Sequence, residues 1–165
     1  MTFPKLTLAS LPPSAELQEL SDWETTDGTV KECISLWQYA QVLLKLDDAG
    51  ALTPRVKSAL KILYFKTSPI TADELTELLG ERDRIVVQGQ QGLGGFSVKF
   101  LDLLRSDFPA LYFPQPYSEG VNNVFLQVII DLMLDKKGGS IYFYLRSRFR
   151  AALAQCFGDE VIGSW

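Results

Sequence analysis

Histidine is missing from this chain altogether, and cysteine occurs only twice. The first absence removes Ser-His-Asp and Cys-His nucleophilic catalysis, imidazole ligation of metals, and the side chain that most often titrates near neutrality. The two cysteines, Cys33 and Cys156, both fall on apolar helical stripes. Buried reduced thiols are expected there, rather than a disulfide or a metal site. Long apolar runs are also missing: nothing approaches the roughly 20 residues that a membrane crossing takes. The best candidate, 124–134, is interrupted by Gln127 and Asp131. Near the N-terminus, Lys5 is followed by no apolar segment of the signal-peptide kind, only short apolar pieces among Pro4, Pro12 and Pro13. A cytoplasmic protein with no membrane contact and no metal is expected.

Phosphate-binding signatures are absent too. In the stretch GQQGLGGF, Gly89 and Gly94 have the spacing of the glycines in GxxxxGK[ST], but Gly95 and Phe96 stand where Lys and Ser/Thr are required. No G-x-G-x-x-G occurs. Paired carboxylates occur at Asp47-Asp48, Asp73-Glu74 and Asp159-Glu160. The first two sit at helix ends and read as helix-end charges, and an acid–base role would need burial and further ligands that the sequence does not show. The expectation is a protein that is not an enzyme and uses no cofactor.

What is present is a sizeable core. With 47% hydrophobic and 12% aromatic residues over 165 positions, one domain can bury about 68–70% of its unfolded surface. The periodicity predicts an all-α helical bundle of five to six helices at 29–165, preceded by an extended N-terminal segment at 1–28. A first helix over 29–49 carries Val30, Cys33, Ile34, Trp37, Ala40, Gln41 and Leu44 on one stripe, with Trp37 expected in the core. Leu36, Tyr39, Leu43 and Leu46 widen that stripe. Thr53 caps a second helix with Pro54 at its first position, running to about Lys66. Thr71 and Glu74 form a capping box for a short third helix that Gly80 stops. Residues 81–95 read as a loop, after which Ser97 caps a fourth helix through Asp107. Residues 108–119 form an extended linker holding Pro109, Pro114 and Pro116. A fifth helix follows over 120–135, and Gly138-Gly139 turn the chain into a final helix over 140–157.

Charge is distributed unevenly. The net charge of −4 argues against a free-standing, high-affinity nucleic-acid binder. Yet no acid lies between Asp48 and Asp73, a window holding Arg55, Lys57, Lys61 and Lys66. None lies between Asp135 and Asp159, a window holding Lys136, Lys137, Arg146, Arg148 and Arg150. On a continuous final helix, Tyr142, Arg146 and Arg150 follow one another at i, i+4 and i+8, with Arg148 flanking the apolar stripe. An Arg-rich face with a tyrosine in register suits phosphate backbones. A solvated charged face, or one that meets an acidic protein, fits the same residues. A further reading starts from ILYFKTSPITADELTELLG, which resembles the opening of a winged-helix domain, although 81–95 replaces the expected short turn before the next helix.

The helical architecture, the two basic windows, the lack of enzyme motifs and the loose opening MTFPKLTLASLPP together resemble the small subunit of a CRISPR effector complex of the Cascade type. The resemblance concerns the whole chain's architecture, and the net acidity departs from it. In some subtypes that subunit is translated from an internal start within the large subunit's gene, and the opening reads like such a start. The resemblance implies a role in antiviral defence as a non-catalytic subunit, present in more than one copy. It implies protein subunits of the complex as partners, and backbone contacts with guide RNA or target DNA that ignore sequence. Those contacts are expected at Arg55, Lys57, Lys61, Lys136, Lys137, Arg146, Arg148 and Arg150, joined by Tyr142 from the final helix. A winged-helix DNA-binding regulator and a protein–protein adaptor stand as the alternatives.

Overall fold

In the computed structural model the described residues are 23–24, 31–32, 34–66, 68–80, 92–109, 128–134 and 141–165. The fold is mostly helical. Six helices are present among the described residues: α1 (Leu36–Asp48), α2 (Pro54–Phe65), α3 (Ala72–Leu78), α4 (Leu93–Asp107), α5 (Ser147–Phe157) and α6 (Asp159–Gly163). A two-residue ladder pairs β1 (Trp23–Glu24) with β2 (Lys31–Glu32). A three-stranded antiparallel sheet joins β3 (Ile70–Thr71), β4 (Ile130–Leu134) and β5 (Ile141–Leu145), with β5 in the middle.

The second and third helices form where the sequence puts them. Thr53 accepts a hydrogen bond from the Val56 amide and Pro54 opens α2, while Thr71 accepts from the Glu74 amide at the start of α3. Gly80 follows α3 at φ +72°, a conformation that side-chain-bearing residues rarely adopt.

The first helix begins later than expected. Ser35 is its N-cap, in a complete capping box with Gln38, and Lys31–Glu32 ahead of it is strand. The buried face turns toward Tyr39, Leu43 and Leu46, so Trp37 is only half-buried. A helix apolar around most of its girth leaves its orientation to its neighbours. The fourth helix starts earlier, at Leu93. Ser97 therefore lies buried inside it instead of capping it, and Gly92–Gly95 belong to its first turn and cap.

The largest correction concerns the two C-terminal helical predictions. Residues 130–134, expected as the end of a helix over 120–135, form β4. Residues 141–145, expected as the opening turns of a helix over 140–157, form β5, and only Ser147–Phe157 is helical. IDLML and IYFYL are apolar at nearly every position, so they satisfy a period of two as readily as 3.6. Ile, Tyr and Phe also favour a pleated surface, and each segment gains a full register from the other, from Ile130↔Leu145 to Leu134↔Ile141. The N-terminal segment 1–28 and the linker 108–119 lie largely outside the described residues, as does 81–91.

The core closes around three rings. Tyr39, Phe100 and Phe149, all fully buried, bring α1, α4 and α5 together with centroid separations of 5.5–5.8 Å. Tyr39 also donates its hydroxyl to the Val128 carbonyl at 2.6 Å, tying α1 to the lead-in of β4. At the other end of α1, Lys45 and Gln41 converge on the Asp107 carboxylate at 2.7 and 3.0 Å and fix the end of α4.

Candidate nucleic-acid interface

The cations of α5 go where backbone acceptors wait for them. Arg150, one turn into α5, meets the C-terminal end of α2, whose last carbonyls have no helical partner. Its guanidinium donates to the Tyr64 and Lys66 carbonyls, the latter at 3.3 Å. It also lies against the Tyr144 ring at 5.0 Å and the Tyr64 ring at 5.9 Å. A cation at a helix C-terminus is favourable for the dipole as well. The Tyr64 hydroxyl donates in turn to the Asp159 carboxylate at the start of α6. Burial, then that hydrogen bond and the carboxylate's charge, push the Tyr64 phenol up to about 12.

The remaining arginines of this region are also drawn into the fold. Arg146 sits at the junction of β5 and α5 with 3% of its surface exposed, its amide donating to the Ile129 carbonyl at 3.0 Å. Arg148 donates to the Ile34 carbonyl at 3.2 Å, holding α5 to the lead-in of α1. Because the chain switches from strand to helix at Arg146, Tyr142, Arg146 and Arg150 do not form a helical row. Tyr142 lies instead on β5, opposite Thr71 and Met133.

On α2, Lys57 and Lys61 both turn toward Trp165. The Lys57 ammonium lies 5.9 Å from the indole centroid and Lys61 donates to the Trp165 carbonyl at 3.2 Å. Trp165 also packs edge-on against Phe157. Lys136 and Lys137 lie outside the described residues, in the connection between β4 and β5.

Arg55 is placed differently. It is exposed on the first turn of α2 and borders a groove of about 520 Å³ with Lys99 of α4, alongside Thr53, Gly92, Gly95 and Phe96. Gly92 supplies no side-chain cap to α4. Gly92 and Gly95 at the start of this helix both line the groove, and the amides of a helix N-terminus suit an anion. Lys99 was legible in sequence only as one of few charged positions on this helix. Its pairing with Arg55 depends on how α2 and α4 cross.

Among the described residues no group of three or more His, Cys, Asp or Glu side chains that could hold a metal ion comes together. Burial, and secondarily the charge of Asp47, push the Cys156 thiol up to about 12 and leave it a poor nucleophile. No described helix is long and apolar enough to cross a membrane. Compared with known proteins, the chain matches no family model, no curated protein and no solved structure.

Proposed function

We propose that this chain is a non-catalytic nucleic-acid-binding module of winged-helix topology that contacts duplex backbone and works as a subunit of a larger assembly. The observation that carries the reading is the sheet order β3-β5-β4, taken with the chain order α2, β3, α3, α4, β4, β5. A helix, a short strand, two further helices and a hairpin whose last strand lies beside the first is the order of a winged helix. In that arrangement α4 is the recognition element and the connection carrying Lys136 and Lys137 is the wing. Helices α1 and α5 pack together as an added layer.

Several features favour backbone contact over base readout. Exposed positions on α4 carry Lys99, Asp102, Arg105 and Ser106, a short and mixed set for reading base edges. Arg55 and Lys99 at the groove are suited to phosphate oxygens, which are the same whatever the sequence. The net charge of −4 makes tight binding by the isolated chain unfavourable and favours action beside other subunits.

A role as the small subunit of a CRISPR effector-like complex, with guide RNA or target DNA as the nucleic acid, shares the backbone contact and the larger assembly. It draws less support from the final helix than the sequence alone gives it, because Arg148 and Arg150 are bonded to carbonyls. The test is a salt titration of duplex binding by the wild type and by an Arg55→Glu/Lys99→Glu double variant. The log–log slope should fall by roughly 0.9 for each phosphate that the variant no longer neutralises. An unchanged slope with unchanged affinity would sink the proposal.

A further inference from the structure

A second surface stands apart from the groove, on the solvent side of the sheet. Side chains along a strand alternate between faces. On β5 the buried residues are Phe143 and Leu145, whereas Tyr142 and Tyr144 are each partly exposed on the opposite face. The adjoining strand agrees: Ile70, opposite Phe143, is buried, and Thr71, opposite Tyr142, is partly exposed. Two tyrosines thus stand side by side on the central strand of the sheet, about 6.8 Å apart along the chain at the usual rise.

Their surroundings differ in a useful way. Tyr144 is backed by the Arg150 guanidinium at 5.0 Å, and that arginine is fixed by two carbonyls, so the ring is held from below. Exposed Lys66, whose carbonyl Arg150 binds, adds a second positive charge at the same edge. Tyr142 has uncharged cross-strand neighbours, Thr71 and Met133, while Asp131 stands opposite Tyr144. Of the two rings, Tyr142 is the one with no charged residue opposite it in the sheet. Rings on a sheet face, bordered by cations, are the means by which proteins stack the bases of an unpaired strand while attracting its phosphates.

We infer that the β5 face is a binding surface for single-stranded nucleic acid, with a base stacked on Tyr142 and exposed Lys66 drawing the backbone past Tyr144. The inference rests on the nucleic-acid reading above for its ligand class, but it concerns a different surface and a different strand state.

The test uses the full chain and labelled oligothymidylate or oligouridylate of about twelve nucleotides, within the usual site size. Anisotropy should show binding that Tyr142→Ala weakens roughly 5- to 150-fold, the range for removal of one base stack. Tyr142→Phe should retain the affinity, because the ring and not the hydroxyl makes the contact. Duplex affinity should be the same for all three proteins. Should Tyr142→Ala fail to fold, Tyr142→Trp replaces it, and oligothymidylate should quench the added indole emission. Wild-type affinity in a folded Tyr142→Ala variant, equal losses in Phe and Ala, or an unquenched indole would each overturn the inference. Duplex binding without oligonucleotide binding would overturn this surface alone; absence of both would overturn the nucleic-acid reading with it.

Discussion

The cations of α5 and those at the mouths of α2 and α4 are similar in chemistry and different in placement. Arg148 and Arg150 reach inward and donate to carbonyls that helix ends and lead-ins leave without partners, and Arg146 is almost fully buried. Arg55 and Lys99 stand exposed at an open groove. The difference teaches that a run of basic residues is available to an outside partner only where the fold leaves its charged ends at the surface. A carbonyl inside the molecule competes with a phosphate outside it, and it is always at hand.

The sharpest way to break that contrast is through stability. Phe149→Ala, which removes the ring that α5 contributes to the three-ring core, should cost about 3–5 kcal/mol in chemical denaturation. Arg150→Ala leaves two carbonyls of α2 without their charged donor and should cost about 1.5–3 kcal/mol. By contrast, Lys99→Ala should stay within about 0.5 kcal/mol of the wild type, as surface changes usually do. If Arg150→Ala left stability unchanged and removed duplex binding, the division between the two regions would be wrong.

A subtler measurement uses pH. The Tyr64 phenol, raised to about 12 in the folded state from an ordinary value near 10, holds its proton more tightly folded than unfolded. Its contribution is therefore complete below pH ~10 and is lost as pH rises through the folded value. Alkaline unfolding of Tyr64→Phe should lack that component. Identical alkaline limbs for the two proteins would show that the phenol is not linked to folding.

The helical character of the chain was legible because capping residues and apolar stripes agree, most clearly at Thr53-Pro54 and Thr71. Two features were not. IDLML and IYFYL carry apolar residues at successive positions, and no local rule separates strand from helix when both periods fit; pairing between them decides it. The fate of the arginines was also hidden, since the acceptors they meet lie far away in sequence: Arg150 with Tyr64, and Arg148 with Ile34. Ser35 and Gln38 were a readable capping box, obscured by an apolar pattern that extends past the cap. The groove partners Arg55 and Lys99 share no local pattern at all.

Cys156 lies buried in α5 with its sulfur 3.9 Å from the Ala40 carbonyl of α1. A thiol reagent can reach it only when those two helices part, so its modification rate in the native protein is a clock for that opening. In a Cys33→Ser background, slow single-exponential labelling would time the transient separation of the added helical layer, and a duplex bound elsewhere should leave the rate unchanged.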